Sequence, residues 1–134
     1  MQDKNKELSK YRLSNAKETL NVADDCLKNA HYRDSINRSY YAAFYATRAV
    51  LALEGIDFKR HKDVIAYFNK EYVATEKFQR EIGRMLARLQ QKREKSDYDD
   101  FFIASKSEAE EQIKAAKEII NAINNYLKRC YEKA

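Results

Sequence analysis

SINRSYYAAFYATRAVLALEG, residues 35–55, is the most apolar long run of the chain, and its reading decides the fold. On the helical repeat of about 3.6 residues, Ile36, Tyr40, Ala43, Phe44, Thr47, Val50 and Leu51 share one face. Alanines at positions 42, 43, 46 and 49 let neighbouring helices approach closely. A second face carries Arg38, Tyr41, Tyr45 and Arg48 at steps of three and four. Such a helix fits the centre of a bundle that keeps one edge for a partner. Gly55 follows as a C-terminal cap residue.

The rest of the chain has the composition of long helices and short connections. It contains no proline and only two glycines, Gly55 and Gly83. No segment shows sustained period-two alternation bounded by turn residues. Outward from the central helix, Leu13, Ala16, Leu20, Ala23, Leu27 and Ala30 predict a first helix over about 3–30, with Leu8 and Tyr11 extending its seam. His31–Asp34 reads as the turn, with His31 solvated. Beyond Gly55, Ile56–Lys62 reads as a basic loop, and Val64, Ile65, Phe68 and Tyr72 mark a shorter helix over 63–73. Thr75 is the expected N-cap of a fourth helix whose stripe is Phe78, Ile82, Met85, Leu86 and Leu89. Phe101, Phe102 and Ile103 read as a hydrophobic plug. Ser105 and Glu108 form a capping box, followed by the strongest amphipathic helix, Ala109 to Cys130. The expected fold class is all-α: an up-and-down bundle of four long helices plus one shorter helix, in a single domain over 1–134.

Composition also excludes functions. Charged residues make up 35% of the chain, and no run approaches the roughly 20 apolar residues a bilayer requires. The start, MQDKNKELSK, has no apolar centre of the kind a signal peptide needs, so a cytoplasmic protein is expected, with no membrane partner. Cys26 and Cys130 read as free thiols, and with only His31 and His61 besides, no metal site is expected. There is no glycine-rich phosphate loop, no di-iron pattern and no nominable catalytic triad, and no cofactor is expected. An enzyme built on this chain must work with Arg, Lys, Tyr, Asp, Glu or an isolated His.

The net charge is +5, compatible with a nucleic-acid partner. Its distribution says more. Arg80, Arg84, Arg88, Lys92, Arg93 and Lys95 form a basic helix that runs into acidic Asp97, Asp99 and Asp100. Continuing the fourth helix's apolar stripe, the next position after Leu89 is Arg93. An arginine there must find a carboxylate, reach the rim or serve a site. An ion pair with one of the three aspartates and a phosphate held in a cleft or dimer seam are both open.

Residues 37–73, NRSYYAAFYATRAVLALEGIDFKRHKDVIAYFNKEYV, and 92–102, KREKSDYDDFF, resemble the HEPN (higher eukaryotes and prokaryotes nucleotide-binding) domain family, in its small prokaryotic branch. The most specific pieces are Arg-x-Tyr-Tyr-Ala-x-Phe from Arg38, Arg48-Ala49, and Lys59-x-His61 leading into Val64, Ile65 and Phe68. The resemblance implies an all-α bundle that often forms a homodimer. It also implies RNA or nucleotide binding and, in many members, the toxin half of a toxin–antitoxin pair with a nucleotidyltransferase-like antitoxin. Active members cut RNA without a metal, using an Arg followed after four to six residues by a His.

Arg93 matches that arginine and polar Glu94 follows it, but Tyr98 stands where the histidine is expected. A tyrosine, with pKa near 10, is a poor proton shuttle at neutral pH but can donate a hydrogen bond or stack on a base. Three readings follow. The first is an RNA- or nucleotide-binding domain using Arg38, Tyr41, Tyr45, Arg48, Arg93, Glu94 and Asp97. The second is a metal-independent endoribonuclease with Arg93 and Tyr98 as catalytic residues. The third is a non-catalytic dimerisation or adaptor module. His61 is a further candidate to replace the missing histidine in space, although nothing in the sequence places it beside Arg93.

Overall fold

The computed structural model describes residues 3–133. Five α-helices follow in order: α1, Asp3–Lys28; α2, Tyr32–Leu53; α3, His61–Phe68; α4, Arg80–Tyr98; and α5, Lys106–Lys133. A π-helical turn, Asn69–Val73, extends α3. The described chain is an all-α bundle in which α2 is central, packing against α1, α3, α4 and α5. Its face behaves as its spacing requires, with Ile36, Tyr40, Ala43, Phe44, Thr47, Val50 and Leu51 all buried. Burying an aliphatic or aromatic side chain of this kind is worth about 1.5–3 kcal/mol each, so this one face contributes much of the driving force.

The C-terminal ends of α1 and α2 close in the same way. At Gly55 (φ 71°), the Gly55 amide donates to Ala52 O and the Ile56 amide to Leu51 O. At Ala30 (φ 63°), the Ala30 amide donates to Leu27 O and the His31 amide to Cys26 O. These are Schellman motifs, the second with a non-glycine in the left-handed region. The tight closure at Ala30 lets α2 begin at Tyr32, three residues earlier than the run 35–55. His31–Asp34 is therefore not the turn, although His31 itself is exposed.

Several further expectations need correction. Leu8 (41% exposed) and Tyr11 (63% exposed) do not extend the seam of α1. Ser9 takes that place, because its buried hydroxyl donates to Ala49 O (2.7 Å) and accepts from the Tyr131 hydroxyl (2.6 Å). Thr75 does not cap α4. Its hydroxyl bonds backward to Glu71 O (2.7 Å), Glu76 takes φ 66°, and α4 starts only at Arg80. Phe101 and Ile103 are no plug, being 92% and 86% exposed. Of the three, only Phe102 is partly covered, by the Arg33 guanidinium, which also donates to Phe102 O (2.9 Å). The capping box holds: the Glu108 amide donates to Ser105 Oγ (3.0 Å) and the Ser105 amide to Glu108 Oε1 (3.3 Å). Gly83 sits where α4 meets the π turn, and a Cβ there would lie 3.1 Å from Asn69 Oδ1 and 3.3 Å from Val73 Cγ1.

Candidate functional site

The site is assembled on α2. Residues 40, 41, 44, 45 and 48 fall on adjoining faces of one helix, so its aromatic rings form a continuous shelf with Arg48 at the end. The rings of Tyr40 and Phe44 are stacked (centroids 5.8 Å apart), and Tyr41 packs against both Tyr40 (5.2 Å) and Tyr45 (5.9 Å).

From α4, Arg93 reaches this shelf as its phase on the apolar stripe requires. Its guanidinium carbon lies 5.4 Å from the ring centroids of both Tyr40 and Tyr41, and one terminal nitrogen donates to the Tyr41 hydroxyl (3.1 Å). The side chain is only 18% exposed. Asp97 Oδ2 lies 2.9 Å from Arg93 Nε, within ion-pair distance. The Nε–H is nevertheless not aimed along that vector, and Nε has no hydrogen-bond partner. Arg93 is thus charge-balanced but under-satisfied as a donor, which costs free energy unless something accepts from it.

Opposite, the loop after Gly55 folds back and delivers His61 as the first residue of α3. Its ring stacks on Phe44 (4.0 Å between centroids, 28° between planes) and meets Tyr41 edge-on (5.7 Å, 85°). Nδ1 lies 3.1 Å from the Tyr40 hydroxyl, and the two atoms share one proton according to the imidazole tautomer. Burial, then the charges of Arg93 and Arg48, hold the His61 pKa below the usual histidine value, so the ring is neutral at pH 7. The positive N-terminal end of α3 acts in the same direction. Burial pushes the Tyr40 hydroxyl well above the ordinary phenol range, so it remains protonated.

Between α2 and this loop lies a cleft of about 330 Å³, lined by Phe44, Arg48, Asp57, Phe58, Lys59 and His61. Asp57 Oδ2 accepts from Arg48 (2.8 Å) and from Arg12 of α1 (3.2 Å), tying three segments together. Burial pushes the Asp57 carboxyl up. The Arg48 hydrogen bond, the Phe58 amide and the charges of Arg48 and Arg12 outweigh it, and the carboxyl lies below its ordinary range. Arg48 Nε is buried and, like Arg93 Nε, has no partner. A larger hollow of about 450 Å³ lies between the segment 77–82 and α5, lined in part by Phe78, Asn121, Asn125 and Tyr126. It holds neither an imidazole nor an orphaned buried donor, whereas the smaller cleft is lined by both His61 and Arg48.

The structure brings together Tyr41, Tyr45, Arg48 and Arg93 from the residues singled out in the sequence. Arg38 stands at the rim, its guanidinium 5.5 Å from the Tyr41 ring centroid and bonded to Asn37 Oδ1. Asp97 is held by Arg93 and by Asn37 Nδ2 (3.4 Å). Glu94 is exposed. Tyr98, the last residue of α4, is 76% exposed, and among the described residues no hydrogen bond joins it to Arg93. Arg84 and Arg88 lie on another face of α4, paired with Glu81. Sequence reasoning named His61 only as a stand-in for the missing motif histidine, and it missed Asp57, Lys59 and Phe44 as site residues. Phe44 carried a signal, three and four residues from Tyr41 and Tyr40. His61 carried a family resemblance through Lys59-x-His61 but no signal of its place beside Arg93, because that depends on how 56–60 fold back.

The arrangement offers guanidinium donors, aromatic faces and a neutral imidazole. Among the described residues, no group of three or more His, Cys, Asp or Glu side chains could hold a metal ion. No helix there is long and apolar enough to cross a membrane.

The sequence matches the profile of the HEPN domain over residues 9–126. A Thermotoga maritima protein named as a UPF0332 protein is 32% identical over 127 residues, covering 95% of this chain and 96% of its own. Two Methanocaldococcus jannaschii proteins, each named "Putative toxin", are 27% and 31% identical; the alignments cover 91% and 84% of this chain, and 82% and 84% of theirs. With the family profile spanning most of the helices that build the cleft, this chain belongs to the HEPN domain family.

Proposed function

We propose that this is a toxin-like HEPN protein whose cleft binds single-stranded RNA. The supporting observation is the pair of buried guanidinium nitrogens, Nε of Arg48 and Nε of Arg93, that make no hydrogen bond beside an aromatic shelf, although Asp97 ion-pairs with Arg93. A phosphate oxygen is the acceptor such donors fit best. Lys59 and Arg38 extend the positive track, and the rings of Tyr41, Tyr45 and Phe44 are platforms on which bases stack without sequence preference. Carboxylates are not missing, but Asp57 and Asp97 are already engaged by arginines, which lowers their repulsion of an incoming polyanion. The names of the two Methanocaldococcus jannaschii relatives support the toxin reading, and with it an antitoxin partner, for which the family resemblance suggests a nucleotidyltransferase-like protein. The exposed Tyr98, Phe101 and Ile103 are a surface for that partner or for a second copy in a homodimer.

The test is fluorescence anisotropy of a labelled single-stranded RNA. With about three phosphates neutralised, affinity should fall about 20-fold between about 50 and 200 mM salt. Arg93→Ala and Arg48→Ala should each weaken binding about tenfold, the loss expected for a charged hydrogen bond. Salt-insensitive binding, or variants that bind like wild type, would reject the reading.

A further inference from the structure

We propose that His61 is a catalytic residue, the base that takes the proton of a ribose 2′-hydroxyl, so that the RNA held in this cleft is cut as well as bound. This rests on the RNA-binding reading and adds a reacting atom to it. The cleft offers no serine or cysteine as a nucleophile, since its lining is Phe44, Arg48, Asp57, Phe58, Lys59 and His61. Its one carboxylate, Asp57, is held by Arg48 and Arg12, so the bond-making group is assigned to the substrate, and RNA carries one beside every phosphate.

His61 is built as a base is built. A nucleophile-activating imidazole needs a partner that fixes its orientation. Tyr40, buried and at 3.1 Å from Nδ1, supplies it, while Phe44 below and Tyr41 at the edge fix the ring plane. In the tautomer with Nδ1–H donated to the Tyr40 oxygen, Nε2 presents a lone pair.

Charge completes the case. The groups around the ring are Tyr40, Tyr41 and Arg48 from α2, Arg93 from α4, and Lys59 and Asp57 from the loop. In the free protein burial and then the two guanidinium charges keep the imidazole neutral, and neutral is the state a base must hold. A bound phosphate diester brings negative charge into that field, and the transition state brings more. His61 therefore becomes more basic when substrate is present.

The step balances as follows. The 2′-hydroxyl gives its proton to Nε2, its oxygen forms a bond to phosphorus, and the P–O5′ bond breaks. The leaving 5′-oxygen takes a proton from water, and the imidazolium returns its own to solvent. The products are a 2′,3′-cyclic phosphate and a 5′-hydroxyl, with no oxidant, reductant or co-reactant consumed. Arg93 and Arg48 bind and neutralise the phosphate.

The experiment uses the full chain in EDTA with a labelled DNA oligonucleotide carrying a single ribonucleotide, and the same oligonucleotide with a 2′-O-methyl group there. Binding and cleavage are measured separately. Wild type should bind both and cut only the first, leaving a cyclic phosphate. His61→Ala and His61→Gln should cut at least about 100-fold more slowly, the usual contribution of a general base. Their affinity should stay within about threefold of wild type and their helical circular dichroism should be unchanged. The apparent pKa in kcat should exceed that in kcat/KM, and Tyr40→Phe should move the pH profile. Tight binding without cleavage by wild type, or equal cleavage by the His61 variants, overturns the role of His61 and leaves the binding reading standing. Failure to bind either oligonucleotide overturns both.

Discussion

His61 links chemistry to stability at the scale of a single residue. Burial and two neighbouring arginines lower its folded-state pKa, whereas the unfolded chain keeps the ordinary value near 6.5. As pH falls below about 6.5, the unfolded state takes up a proton that the native state refuses. The unfolded state then binds more protons, so stability declines over that range and levels off only below the folded pKa. His61→Gln removes this contribution. Urea unfolding of the two proteins between about pH 7 and pH 5 should give a flatter stability curve for the variant. Parallel curves would mean that the imidazole is not held neutral by its surroundings. Residue-scale legibility was uneven for the same reason that makes His61 interesting. Arg93 could be read as inward because a helix fixes phase, and four residues beyond Leu89 is a short extrapolation. The place of His61 hangs on the backbone path of five loop residues, and no periodicity encodes that. Tyr98 matched a motif by spacing alone, yet five residues along a helix from Arg93 it faces elsewhere and ends up in solvent.

Among the elements, α4 shows how one missing side chain sets a distance. Glycine in a helix interior costs about 1 kcal/mol relative to alanine, and this chain has only two glycines. Gly83 is tolerated because the π turn lies against it, with Asn69 Oδ1 and Val73 Cγ1 inside ordinary contact of a hypothetical Cβ. Gly83→Val would push branched methyl groups into Val73 and should lose about 1–3 kcal/mol despite its better helix propensity. The measurement is the shift of the denaturation midpoint, and a neutral result would place the π turn further from α4. Helix existence and the buried stripes of α2, α4 and α5 were legible, because long periodic patterns dominate local choices. Starts and stops were less so. Thr75 has the chemistry of an N-cap, but its hydroxyl found the Glu71 carbonyl behind it. Ser105 resembles it locally and does cap, because Glu108 reciprocates.

For the molecule as a whole, polar and apolar surfaces divide the work. The cleft gathers cations along α2 and the loop after it, whereas the segment after α4 presents Phe101 and Ile103 beside Asp99 and Asp100. The sequence pattern gave no means of telling a buried apolar triplet from an exposed one, since neither has helical partners upstream. The two cases differ sharply in energy. A plug would lose about 3 kcal/mol or more on truncation, whereas exposed side chains should change stability by less than about 0.5 kcal/mol. The double variant Phe101→Ser/Ile103→Ser should therefore unfold at the wild-type denaturant concentration while losing association with a partner or a second copy in sedimentation.

The wide turn at Asn69–Val73 constrains how this chain can change its length. It accommodates one residue more than an α-helix of the same span needs. Excising one residue would let the helix run on without the bulge, at little local cost. The flanks would keep their phase, because five residues of a π turn and four of an α-helix cover nearly the same angle. The imidazole would stay on its aromatic seat and Tyr72 and Phe78 on theirs. A one-residue gap is therefore absorbed in this stretch, whereas the same gap inside α2 or α4 would turn half of the helix away from its partners.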